Sequence, residues 1–141
     1  MRSNARRVPH QSSGRRATEE RGSASVEAAI VFPVVLFLIF GIIQGALWFH
    51  ARHVALGAAQ EGARLVAAED GGDGETRARE FITSLTGGTL IRNVIVREAA
   101  TTQTATVTVN GQAPSLIPGV AGLPVSQTAT ASVERFTRPG S

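Results

Sequence analysis

Polar and apolar positions divide the chain into stretches of different character. Residues 1–21 are polar, rich in Arg and Ser, and follow neither a helical nor a strand period. A run of 22 residues from Ala28 to Phe49 then carries no charge. At ~1.5 Å per residue it spans about 33 Å as a helix, enough for a hydrocarbon core of about 30 Å. Beyond it Ala51, Ala55, Ala58, Gly62 and Val66 recur every three or four positions, with His53, Gln60 and Arg64 on another side. That is the spacing of one helical face. The pattern predicts one long helix from about Ser25 to Ala68, lipid-facing in its first half and amphipathic in its second, with N-caps among Ser23 to Ser25. Pro33 removes a backbone donor inside it and predicts a kink that neighbouring helices can accommodate in a bilayer.

Glu69-Asp70-Gly71-Gly72-Asp73-Gly74 breaks the helix. Asp73 is placed to N-cap a short second helix, Glu75 to Leu85, in which Ala78, Phe81, Ile82 and Leu85 form an i, i+3, i+4, i+7 stripe. Gly87-Gly88 ends it. The period then becomes two, from Leu90 to Arg97, from Thr104 to Val109, and again from Thr128 to Phe136. Asn110-Gly111 reads as a turn. Ala113 to Pro124, with three prolines and two glycines, reads as a loop. The expected class is α+β: a long N-terminal transmembrane helix continuing into an amphipathic helix, then a short helix and a small antiparallel β-sheet. The expected domains are a basic disordered leader over 1–22, a transmembrane helix over 23–49 and an exported α+β domain over 50–141.

Charge gives the membrane helix a direction. Residues 1–25 hold six Arg against Glu19 and Glu20, whereas residues 50–141 hold eight Arg and eight acids. By the positive-inside rule the leader stays in the cytoplasm and the C-terminal domain is exported. All 14 basic residues are Arg, which reads as codon bias more readily than as nucleic-acid binding, and the leader lacks interleaved aromatics. Nucleic acid is therefore not an expected partner. The apolar run is too long for the core of a cleaved secretory signal. With no cysteine, disulfides, lipoprotein acylation and thiolate metal sites are excluded.

Within the apolar run, Gly41-Ile42-Ile43-Gln44-Gly45 is a GxxxG pattern, whose small residues allow close helix approach in lipid. Gln44 is a polar group able to hydrogen-bond a neighbour, and Gly62 reads as a further close-packing position. Trp48 and Phe49, followed by His50, Arg52 and His53, mark the outer interface. Catalysis finds no support: there is no HExxH, GxSxG, P-loop or dinucleotide motif. His50 and His53 are spaced to touch one metal, but interface His residues more often bond headgroups or water. The acidic breaker lacks EF-hand spacing. No cofactor, metal or enzymatic activity is expected.

The junction Arg21-Gly22-Ser23-Ala24-Ser25-Val26-Glu27 is the chemically distinctive segment. A Gly, four residues, then a Glu opening a long apolar helix resembles the processing site of a type IV prepilin. That resemblance implies a membrane-embedded aspartyl peptidase cutting between Gly22 and Ser23, which leaves Glu27 as mature position five. The spacing has a physical sense. Glycine offers an unhindered backbone, and the new Ser23 amine would be a cation one helical turn from the Glu27 anion, in a helix's first turn. Together with the Pro-containing membrane helix and Ala58-Ala59-Gln60-Glu61-Gly62-Ala63-Arg64, the junction resembles the TadE-like family, pseudopilins of the tight-adherence (Flp pilus) system. The resemblance is densest over 21–66. It departs at Ala28, where such proteins often carry an aromatic.

The resemblance implies a non-enzymatic, single-pass minor pilin or pseudopilin in the cell membrane. Its implied partners are membrane lipid, a prepilin peptidase, other TadE-like or TadG-like or pilin subunits, and the inner-membrane pilus platform. Glu61 and Arg64 read as surface or subunit contacts. The alternative is an uncleaved, signal-anchored module that binds the cell envelope.

Overall fold

The structure, a computed structural model, describes residues 14–68 and 71–133, with side chains from Ser25 onward. Five elements follow one another: helices α1 (Gly14–Ala67) and α2 (Gly74–Thr86), then strands β1 (Arg92–Ala100), β2 (Thr104–Gln112) and β3 (Pro124–Ser132). This is the α+β order read from the sequence, with one antiparallel sheet in the order β1-β2-β3. The chain forms two compact units, Met1–Ile39 and Phe40–Ser141.

The described part of the first unit is α1 alone. The helix starts at Gly14, so residues 14–22, expected to be irregular, are helical. Arg, Ala and Glu fill positions 15–21 apart from Thr18, and all three are strong helix formers. Once the apolar run has nucleated a helix, adding such residues costs little. The rest of the expected leader lies outside the described residues. From Ser25 to Ile39 every side chain is exposed, with Phe37 at 77%. The most apolar stretch of α1 reaches a mean hydropathy of 2.7, long and apolar enough to cross a membrane. Pro33 sits inside α1 without ending it.

In the second unit, the C-terminal half of α1 turns its small residues inward. Ala51, Ala55, Ala58, Ala59 and Ala63 are buried in one cluster with Val96, Val107, Val109 and Val125 of the sheet. Alanines on this face let helix and sheet approach closely, so the core is built from backbone proximity more than from large side chains. Its largest fully buried side chains are Ile91, Val107 and Val109.

Helix α2 is fixed at both ends as the sequence predicts. The Asp73 carboxylate accepts from Thr76 N–H at 2.9 Å and from the Thr76 hydroxyl at 2.6 Å. These bonds, the hydroxyl first, hold its carboxyl below the usual value of 3.8. Glu98, on β1, accepts from Gly74 N–H at 2.9 Å, so a second carboxylate meets the same helix N-terminus. Gly87 takes the left-handed conformation at φ 60° and its N–H returns to Thr83 O at 2.8 Å. Ala78 and Ile82 are buried and Phe81 packs against the core. Leu85, the fourth member of the expected stripe, is 60% exposed, because it lies in the last turn, beyond the residues that meet the core.

Besides β1, which runs Arg92–Ala100 where Leu90 to Arg97 was expected, the strands depart from the sequence reading in two places. Asn110-Gly111 is not a turn: both residues are inside β2, with Asn110 opposite Ile95 and Ser126 and Gly111 opposite Val125. The reversal between β1 and β2 occurs instead at 101–103, where the Thr101 N–H donates to Thr104 O at 2.7 Å. Glycine is needed at 111 for close approach, since a Cβ there would collide with Ile91. The β1 register shifts between Arg92 and Ile95, with Asn93 at φ 52°, the signature of a bulge. The second departure is β3, which begins four residues before the expected Thr128. Continuous pairing with β2 from Gln112↔Pro124 to Thr104↔Ser132 sets its extent. Thr106 with Thr130 and Thr108 with Thr128 form hydroxyl pairs at 3.1 and 2.9 Å on the outer face.

Candidate functional site

The predicted residues fall along α1 and separate into three groups. Gly22 and Ser23 lie within the helix and Glu27 one turn further on, exposed, at the start of the apolar run. The backbone at the proposed cut is thus helical. Gly22 is a weak point in it, because glycine in a helix interior costs roughly 0.5–1 kcal/mol relative to alanine.

Gly41 and Gly45 form the second group. Both are exposed, and a Cβ at either would meet nothing within 4 Å. They leave a smooth notch on the membrane segment, of the shape that admits another helix. Gln44 lies between them in sequence but on another side. Its Nε2 donates to Pro114 O at 2.8 Å and its Oε1 accepts from Leu116 N–H at 3.0 Å. One side chain thus clamps two backbone groups of the loop between β2 and β3. One turn on, Trp48 Nε1 donates to Pro124 O at 3.0 Å. The sequence singled out Gln44 as a polar group in the apolar run and Trp48 as a mark of its interface; that Gln44 binds the loop and Trp48 the first residue of β3 was not legible from their spacing.

Gly62 forms the third group. It is buried, and a Cβ there would lie 2.6 Å from Gly74 O, 3.3 Å from Val107 Cγ1 and 3.4 Å from Ala78 Cβ. It is the point where α1 meets the start of α2. Nearby, Arg77 donates to Glu61 at 2.7 Å, and that carboxylate raises the guanidinium above its usual value. In this structure Glu61 is therefore spent on an intrachain contact. Gly57 supplies the remaining seat, with the Phe81 ring 3.0 Å from where its Cβ would be.

The C-terminal end of the apolar run is capped by rings and one cation. Arg52 lies over the Trp48 ring at 4.8 Å, and His53 stands edge-on to Phe49 with centroids 4.3 Å apart. A shallow groove of about 150 Å³ beside them is lined by Phe49, Arg52, His53, Leu56 and Gln127. Among the described residues, no group of three or more His, Cys, Asp and Glu comes together to hold a metal.

An exposed apolar helix opening on a carboxylate, continued into a small α+β unit, defines a protein with a helix suited to membrane anchoring. Residues 22–64 match the family model described as TadE-like protein, the family that the junction and helix resemble. TadE-like proteins are associated with the Tad pilus. The match starts at Gly22 and ends before α2 and the sheet. No curated protein and no solved structure matches the chain.

Proposed function

We propose that this chain is a minor pilin or pseudopilin of a tight-adherence (Flp) pilus assembly machine, anchored in the cell membrane by residues 28–49 and non-enzymatic. The observation that carries this reading is the family match over 22–64, which joins Gly22, Glu27 and the exposed apolar helix in one segment. A prepilin peptidase cuts between Gly22 and Ser23 from the cytoplasmic side, and the Arg-rich leader holds that side by the positive-inside rule. The released Ser23 amine and the Glu27 carboxylate are then opposite charges one turn apart at the membrane edge. They neutralise one another or the corresponding groups of an adjacent subunit. The open Gly41/Gly45 notch packs against another TadE-like, TadG-like or pilin helix, and the exported domain contacts the inner-membrane platform.

The N-terminus of the protein recovered from native membranes tests this directly. A chain beginning at Ser23 supports it, and Glu27→Ala then separates processing from assembly. A chain retaining residues 1–22 favours the uncleaved, envelope-binding signal anchor. One observation speaks for that second reading: α1 runs unbroken through Gly22 and Ser23, so the bond must be unwound before any peptidase can take it.

A further inference from the structure

The connection between β2 and β3 carries a row of exposed apolar side chains: Leu116 at 40%, Ile117 at 61%, Val120 at 54% and Leu123 at 47%. Its backbone is nonetheless ordered. Ala113 N–H donates to Leu123 O at 2.9 Å and closes the base. A Cβ at Gly122 would collide with the Ala113 carbonyl, so the two limbs of the loop touch. At the tip, Val120 N–H donates to Ile117 O at 3.2 Å, with Pro118 second and Gly119 third at φ 79°. That is the residue pattern of a type II turn. The turn therefore presents Ile117 and Val120 on a fixed frame.

The position of this loop supplies its partner. Gln44, which clamps Pro114 and Leu116, lies five residues inside the end of the apolar run at Phe49, about 7 Å along the helix axis. Trp48, which holds Pro124, is the aromatic at the expected membrane edge. The loop is thus pinned at the level of the last turns of the membrane segment, not above it. No charged residue occurs from position 99 to 133, so nothing in the loop resists entry into the interface. Irregular backbone is tolerated near hydrocarbon only when its polar groups are satisfied. Here Gln44 pairs Pro114 O and Leu116 N–H, and Ser115 Oγ accepts from Ile117 N–H at 3.2 Å.

We propose that residues 114–123 are a second membrane contact, a lipid-facing loop that seats Ile117 and Val120 in the outer-leaflet interface beside the anchor helix. The proposal rests on reading 28–49 as the membrane span. It gives Gln44 a role within the chain, as the polar partner that lets a loop lie against a membrane helix. Two contacts with one bilayer restrict how the sheet unit tilts at the membrane surface.

The chain has no cysteine, so single-cysteine variants of the full protein can carry an environment-sensitive fluorophore without background. Ile117→Cys reports the loop, Phe37→Cys the span, and Thr102→Cys the exposed tip between β1 and β2. Each is reconstituted at low protein density in phosphatidylcholine and phosphatidylglycerol vesicles without brominated lipid, with lipids brominated near the headgroup end of the chain, or with lipids brominated near its methyl end. The last of these reach the midplane, where position 37 lies. The expected result is blue-shifted emission at 117 that brominated lipid quenches, with quenching at 37 and none at 102. Quenching at 37 with a 117 label that behaves like 102 overturns the proposal and leaves the span standing. A blue-shifted 117 label that lipid does not quench also overturns it, since a second copy then covers the loop. Absence of quenching at 37 removes the span and the proposal together.

Discussion

Replacing Gly62 by alanine is the sharpest test of the packing that holds the sheet unit together. In an open helix the change stabilises by up to about 1 kcal/mol, because alanine is the better helix former. At Gly62 the added Cβ falls 2.6 Å from Gly74 O and 3.3 Å from Val107 Cγ1. The carbonyl is backbone and has little room to yield, because Gly74 N–H is held by Glu98 at 2.9 Å and the next turn by the Asp73 cap. Overpacking of this kind costs about 1–3 kcal/mol. Set against the propensity gain, the net expectation is a loss of up to about 2 kcal/mol. Small domains unfold with a urea slope of ~1 kcal/mol per molar or more, so the midpoint should fall by about 1 M. The single Trp48, bonded to Pro124 O, reports docking of the loop on α1 by its fluorescence in detergent micelles. Gly41→Ala is the internal control: nothing lies within 4 Å of its Cβ, so the midpoint should not fall. If Gly62→Ala melts at or above the wild-type midpoint, α1 and α2 do not meet as closely as described, and the account of the small-residue face fails.

Gln44→Leu should free the loop by leaving Pro114 O and Leu116 N–H without their partner, at a cost of about 1–2 kcal/mol, and hydrogen exchange at Leu116 should quicken before any global change. Ile82→Ala, at a site 3% exposed, should cost about 2–3 kcal/mol in a urea melt, whereas Leu85→Ala, 60% exposed, should cost less than about 0.5. The Asp73 carboxyl is held below its ordinary value of 3.8 in the fold. Its contribution is therefore present above the unfolded-state value and is lost as pH falls through the lower folded value. Asp73→Asn should flatten that part of the acid dependence of the urea midpoint, and an unchanged acid limb would remove the cap from the account.

Helix α2 was legible because its signals are local, whereas α1 begins at Gly14, ahead of the N-caps expected among Ser23 to Ser25. Asp73, the apolar stripe through Ala78 and Ile82, and Gly87 lie within one turn of the groups they satisfy, and they gave both ends of α2. The alanine face of α1 was legible for the same reason, through its period. Glycine meaning was not. Gly41, Gly62 and Gly111 look alike in sequence, yet one faces open space, one meets the α2 backbone and one makes room for Ile91. Asn110-Gly111 is a strong turn signal in isolation, but pairing of β2 over nine residues with β3 and over seven with β1 outweighs a local preference. Likewise the extent of β3 follows from its pairing with β2, and Pro124 opens it at an edge, where a missing N–H costs nothing.

The candidate site divides along the same line. Gly22, Ser23 and Glu27 can be named from sequence because the processing proposed for them depends on spacing within one segment. Gln44 cannot be read that way. A lone amide in an apolar run suggests a partner helix, and that reading is sound as far as the run itself goes. What changes it is a segment 70 residues later, whose Pro114 carbonyl reaches Gln44 Nε2 at 2.8 Å. The same side chain accepts from Leu116 N–H at 3.0 Å, so an amide that suggested a partner helix is satisfied within the chain by the loop between β2 and β3. Gly41 and Gly45 stay open on the same helix, among the exposed apolar side chains that surround them. A subunit docking there would meet glycine backbone instead of the Gln44 amide, so Gly45→Leu should weaken assembly more than Gln44→Leu does.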